Sequence, residues 1–282
     1  MSTKINKIIH NNQHITENKV IADTINNFYT GIGSTIEAKI PQSKKSFQEY
    51  LGTQNSSSIC LNECSLEEIS KLINSLNVSK SCGPFSIPTK LLKEFSNLLS
   101  PVLLVLVNKS LKEGIFPKLL KYAVVCPFYK KSDKTKCANY RPISLLSNLS
   151  KIFERVMYNR VDHFFSEQNL LYDRQFGFRK KHSTNHALLS IVEKIRNNMD
   201  NGIFSCGVFV DLEKAFDTVK HSILLRKLHH YGIRGKGNDW LTSYLSNRTQ
   251  SVSVNGATSD VSNVTCGVPQ GSILGPPFYY LY

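Results

Sequence analysis

Apolar positions recur along this chain at two spacings, one helical and one alternating, and the switch between them marks out its elements. NKVIADTINNFYTGIGSTIEAKI, near residues 20–40, has helical spacing that Gly31 and Gly33 are expected to break. Ser65-Leu66-Glu67-Glu68 reads as a capping box ahead of Leu66, Ile69, Leu72, Ile73 and Leu76. A second helical region covers Thr89–Glu113, with Gly114 as its stop. Ser150–Glu167 turns Ile152, Phe153, Val156, Val161, Phe164 and Phe165 inward and leaves Lys151, Arg155, Arg160 and Asp162 on a wet face. Further helices are predicted at Ile223–Tyr231, closed by Gly232, and at Gly237–Asn247, around the single tryptophan, Trp240. Strand signals lie at Ala123–Tyr129 and Ile143–Leu146, joined by a Lys-rich hairpin loop. Ile203–Val210 follows the turn signal Asp200-Asn201-Gly202 and reads as a short buried strand. Asn255-Gly256 marks a type I′ hairpin. The fold class is therefore α+β, helix-rich with short antiparallel strands. Residues 41–58 are poor in apolar residues and read as a flexible linker, so residues 1–60 are taken as a linker-like segment ahead of a domain over residues 61–282.

Charge adds a partner to this picture. Lys+Arg 35 against Asp+Glu 21 gives +14, which points to a polyanion. No apolar run is long enough to span a bilayer, and no signal peptide is visible. Seven scattered cysteines, an odd number, fit reduced thiols and an intracellular location, nucleus or cytoplasm.

Candidate chemistry begins with Asp211, a carboxylate at the open end of the apolar run Ile203–Val210. Two-metal phosphoryl transfer needs carboxylates that bridge cations about 3.5–4 Å apart. Asp217 is a poor second ligand: six residues of strand would put it roughly 20 Å away, and six of helix roughly 9 Å away on another face. It reads instead as a cap or orienting residue at the next helix. Lys130, Lys131 and Arg141 flank a tight strand pair, which suits cations presented to phosphates. Arg179, Lys180 and Lys181 form a second cluster behind Gly177, with Ser183 or Thr184 placed to cap the following helix.

In order, the chain carries the run AVVCPFYKKSDKTKCANYRPISLL, then QFGFR followed by Ser-Thr, then DLEKAFD, then GVPQGS. This series resembles the reverse transcriptase domain of non-LTR retrotransposons of the LINE, jockey-like kind. The resemblance covers residues from about Cys60 onward. It implies the fingers and part of the palm of a right-hand polymerase acting on an RNA template and DNA primer with deoxynucleoside triphosphates. DLEKAFD is the family's motif A and GVPQG its motif B. The resemblance assigns magnesium contacts to Asp211 and Leu212, catalysis to Asp211, and nucleotide contacts to Lys130, Arg141, Arg179, Phe216, Gln270 and Gly271. The Phe216 ring is assigned a position beneath the sugar of the incoming nucleotide, where it leaves no room for a 2′-hydroxyl. Three departures stand out: Phe85 replaces a usual acidic residue, the ending GPPFYYLY is altered, and no adjacent Asp-Asp pair occurs. The metal site is thus expected to be incomplete and the chain to be an inactive fragment, ending before the family's Asp-Asp motif. The alternative reading is a non-catalytic nucleic-acid-binding remnant.

Overall fold

A computed structural model describes residues 4–41, 43–79 and 83–281. The chain divides into a larger unit, residues 1–161 with 215–282, and a smaller one, residues 162–214.

The larger unit opens with β1 (Ile8–His10) and β2 (Gln13–Ile15), an antiparallel pair, followed by α1 (Asn18–Glu37). Next come α2 (Leu66–Ser75), α3 (Thr89–Glu94) and α4 (Ser96–Glu113). The strands β3 (Tyr122–Tyr129) and β4 (Tyr140–Leu145) lead into α5 (Asn148–Glu167). In the smaller unit α6 covers Thr184–Asp200. The larger unit then resumes with α7 (His221–His230), α8 (Lys236–Leu245), β5 (Arg248–Val254), β6 (Ala257–Thr258), β7 (Ser262–Val264) and α9 (Gly275–Leu281).

One sheet organises the larger unit. β3 and β4 pair antiparallel as expected, with Phe128 opposite Arg141, and β4 begins at Tyr140 rather than Ile143. β3 also pairs in parallel with β5, Val125 opposite Val252, a long-range pairing that no local signal announces. The Asn255-Gly256 turn takes positive φ at both residues (48° and 86°), as type I′ requires. Trp240 is fully buried on α8 and donates its indole N–H to Ser110 on α4.

Three expectations are corrected in this unit. α1 runs unbroken through Gly31 and Gly33, because its buried face of Ile21, Ala22, Ile25, Tyr29 and Ile32 outweighs about 1 kcal/mol of lost propensity per glycine. A Cβ on Gly33 would stand 2.1 Å from Cys266 Sγ, so this glycine serves a close approach. Second, the first part of the segment expected to be linker-like belongs to the core. Ile5, Ile8, Ile21, Ala22, Ile25 and Tyr29 cluster with Val125, Cys137, Tyr140, Val252 and Val254. Residues 55–58 are tied down as well, since Arg234 donates to the carbonyls of Asn55 and Ser57. Third, Arg160 leaves the wet face of α5 and pairs with Glu68, at 13% and 25% side-chain exposure. Ser65 still caps α2 by accepting from Glu68 N–H, while the Glu68 side chain turns to Arg160. The predicted helical region 89–113 is split at Phe95, and Gly114 caps it at φ 70°. Residues 80–82 of the loop after α2 lie outside the described residues.

In the smaller unit, Ser183 caps α6 by accepting from His186 N–H. Residues 203–210 form no strand, and Phe204, Val208, Phe209 and Val210 are 81–100% exposed. An extended segment becomes a buried strand only when another strand satisfies its N–H and C=O groups, and no described strand pairs with this one. No helix among the described residues is long and apolar enough to cross a membrane.

Candidate nucleotide and nucleic-acid site

Strand alternation turns Tyr140 and Pro142 of β4 inward and leaves Arg141 and Ile143 exposed, alongside Phe128 of β3. Lys130 is exposed beyond the end of β3, and its N–H donates to Asn139 C=O at 2.9 Å to close the hairpin. The loop between them is built rather than merely solvated. Asp133 Oδ1 accepts from Thr135 N–H (2.8 Å) and Thr135 Oγ1 (2.7 Å), and these bonds hold its carboxyl below the usual range. Asn139 Nδ2 donates to Asp133 C=O, and Tyr140 Oη to Lys134 C=O. Lys131 and Lys136 project from this frame into solvent, and the exposed Lys134 holds its Nζ 5.3 Å over the Tyr129 ring.

The GVPQG loop sits against the other end of β4. Ser144 N–H donates to Gln270 C=O at 2.8 Å, and a Cβ on Gly271 would stand 2.8 Å from Ser144 O, at φ 122°. Its opposite side runs along the end of DLEKAFD. Val268 N–H donates to Phe216 C=O and Gly267 N–H to Val219 C=O, each at 2.8 Å. Gly267, at φ 78°, lets the chains come so close that a Cβ would stand 2.8 Å from Asp217 O. Gln270 Nε2 donates to Asp217 Oδ1 at 2.8 Å, which fixes the amide orientation because an ionised carboxylate only accepts. Asp217 therefore orients the GVPQG loop and is not the cap of α7, whose N-cap position is Lys220. Burial pushes the His221 imidazole below its ordinary value, so the neutral ring's Nε2–H is the group that donates to Gly267 C=O, at 2.7 Å. Phe216 is half-buried.

Beneath the loop lies a polar cluster that the periodicity did not single out. Glu154, fully buried on α5, accepts from Ser150 Oγ (2.8 Å) and Ile273 N–H (2.6 Å). Arg248, 2% exposed at the start of β5, lies 4.7 Å over the Tyr244 ring and donates to Tyr244 C=O at 3.1 Å. Burial pushes the Glu154 carboxyl up, while the Ile273 amide and the Arg248 charge draw it down. A glutamate at helical spacing with the buried Met157, Tyr158 and Val161 is the signal that could have found it.

The remaining predicted residues belong to the smaller unit. Arg179 is half-buried and donates to Tyr172 C=O at 3.2 Å. Asp211 and Leu212 lie exposed in the irregular stretch after residue 203. Among the described residues no group of three or more His, Cys, Asp or Glu side chains could hold a metal ion. Asp211 offers one carboxylate and Leu212 at most a carbonyl oxygen, so the residues present do not fit a two-cation centre.

The sequence family described as "Reverse transcriptase (RNA-dependent DNA polymerase)" matches residues 129–282. The chain is 35% identical over 224 residues to the "Probable RNA-directed DNA polymerase from transposon BS" of Drosophila melanogaster, covering 77% of this chain and 24% of that protein. It is 33% identical over 242 residues to the "RNA-directed DNA polymerase from mobile element jockey" of the same fly, covering 83% of this chain and 26% of the relative. The Xenopus laevis "Transposon TX1 uncharacterized 149 kDa protein" is 24% identical over 216 residues, or 77% of this chain and 16% of the relative. The chain spans about a quarter of the length of the first two relatives.

Proposed function

The chain belongs to the reverse transcriptase family, and from that premise we propose that it forms the fingers and part of the palm of a jockey-like mobile element's RNA-directed DNA polymerase. One observation carries this reading. The GVPQG loop is bonded at once to β4, just beyond Arg141, and to Phe216 and Asp217 of DLEKAFD, so motifs more than fifty residues apart converge on one surface. That surface presents Arg141 and Lys130 toward a triphosphate and the half-buried Phe216 toward a sugar. Gln270 and Gly271 lie under the forming base pair. RNA template, DNA primer and deoxynucleoside triphosphates are the substrates this arrangement would take. The magnesium chemistry expected of the family requires carboxylates in addition to Asp211, so residues 1–282 by themselves are expected to bind nucleic acid without extending a primer.

Binding tests this directly. The purified chain should bind single-stranded RNA and an RNA–DNA hybrid with little sequence preference, and affinity should fall steeply as salt rises. Changing Lys130, Arg141 and Arg179 together to Ala should flatten the plot of log K against log salt by about 2–3, with at least a tenfold loss of affinity on every sequence, as about three lost phosphate contacts require. An affinity indifferent to salt would refute the electrostatic account.

Phe216 provides a second test, in a fusion that joins this chain to the residues following the matched region of the jockey relative. A core Phe cut to Ala would cost about 3–5 kcal/mol and depress all incorporation together. Phe216 is instead only half-buried. Phe216→Val is therefore expected to raise ribonucleotide over deoxynucleotide incorporation by at least about tenfold, or roughly 1.4 kcal/mol. An equal fall in both rates with a lower melting temperature would make the ring structural.

A further inference from the structure

We propose that the β1–β2 hairpin and the 130–136 loop form one cationic face that grips the phosphate backbone of a nucleic-acid strand outside the nucleotide site. The proposal rests on the reading of this chain as a nucleic-acid-binding polymerase module and gives that module a second contact surface. In β1, Ile8 is fully buried opposite Ile15, so alternation turns Lys7, Ile9 and the Ile9 partner His14 outward. Ile9 N–H donates to Thr135 C=O at 2.8 Å, so the free edge of β1 is continued by the backbone of the lysine loop. Leaving aside Lys130 of the nucleotide site, residues 4–16 and 131–140 together hold five lysines, Lys4, Lys7, Lys131, Lys134 and Lys136, against one carboxylate, Asp133. That carboxylate is occupied within the loop by Thr135.

A solvated charge run would need none of this bracing. Here the frame is fixed by the Asp133, Asn139 and Tyr140 bonds and by Ile9, so the lysines are presented from rigid backbone and less loop entropy is lost on binding. The chemistry selects the partner. Protein-binding patches centre on buried aromatic anchors, whereas the apolar residue exposed on this face is Ile9, at 37%. A row of point-charge ammonium groups with little apolar surface suits phosphodiesters, and phosphate contacts do not depend on base sequence.

The test compares two variants that each lose three positive charges. One carries Lys7→Gln, Lys134→Gln and Lys136→Gln. The control carries Lys90→Gln, Lys109→Gln and Lys112→Gln, at exposed or half-exposed lysines of other elements. Binding of 30-nucleotide single-stranded RNA and of DNA of the same sequence is measured across a salt series. The hairpin-loop variant is expected to lower the salt slope by about 2 and to weaken binding about tenfold on both strands, while the control stays within about 0.5 of the wild-type slope. Equal effects of the two variants would reduce the face to net charge and overturn the proposal. Unchanged RNA and DNA binding would also overturn it, including the case in which only binding to phosphatidylserine vesicles is lost. Failure of the unaltered chain to bind either strand would instead bring down the underlying nucleic-acid reading, and the platform with it.

Discussion

Glu154→Ala is expected to lower the free energy of unfolding by about 3–5 kcal/mol, the size that follows when one member of a buried charge cluster is removed. Glu154 has no exposed surface and holds Ser150 Oγ and the Ile273 amide, so its loss leaves those donors without their acceptor inside the protein. It also removes a carboxyl that interacts with the buried Arg248, whose attraction partly offsets the burial that pushes Glu154 up and whose Nη2 has no hydrogen-bond partner among the described residues. Arg248→Met should cost a similar amount, for the converse reason. The double variant Glu154→Met with Arg248→Met should cost clearly less than the sum of Glu154→Met and Arg248→Met made singly, because no uncompensated charge remains. Urea unfolding of the unaltered chain, the two single methionine variants and the double one measures this coupling. Additive losses would mean that Glu154 and Arg248 act independently. Because Ile273 lies directly after the GVPQGS run, the cluster also ties that loop to α5.

Where structure follows from near neighbours, the sequence read true. Ser65 and Ser183 cap the helices they precede, Gly114 ends α4 in the left-handed conformation, and Asn255-Gly256 makes its turn with two positive φ angles. The α5 stripe from Ile152 to Phe165 is buried as its spacing implied. Elsewhere distant segments decide the outcome. β3 meets β5 in parallel across more than a hundred residues, a pairing that neither strand encodes alone. Asn, Ser and Lys give the N-terminal segment the composition of a linker, yet Ile5, Ile8, Ile21 and Ile25 fall at the positions the sheet covers. Residues 203–210 have the composition of a buried strand, and composition does not supply the neighbour whose backbone would pair with them.

The motifs were legible in the sequence, and the contacts between them were not. Order and spacing of the motifs marked Lys130, Arg141, Phe216, Gln270 and Gly271, and the structure adds how the last three are held. Helix spacing suggests Asp217 as a cap or orienting residue for α7. Its carboxylate instead fixes the Gln270 amide, a contact across 53 residues that helix spacing could not reveal. Glu154 was hidden by its charge, since a glutamate within an amphipathic helix ordinarily faces water.

The central claim, that this chain is the fingers and part of the palm of an RNA-directed DNA polymerase with Asp211 as its catalytic carboxylate, is tested most directly by primer extension. The chain is joined to the residues that follow the matched region of the jockey relative, and deoxynucleotide incorporation is followed on an RNA template with a DNA primer. The account predicts template-dependent extension by the fusion, at least about a thousandfold loss with Asp211→Asn, a penalty of roughly 4 kcal/mol in the transition state, and unchanged hybrid affinity in that variant. Extension that survives Asp211→Asn at the unaltered rate would contradict it.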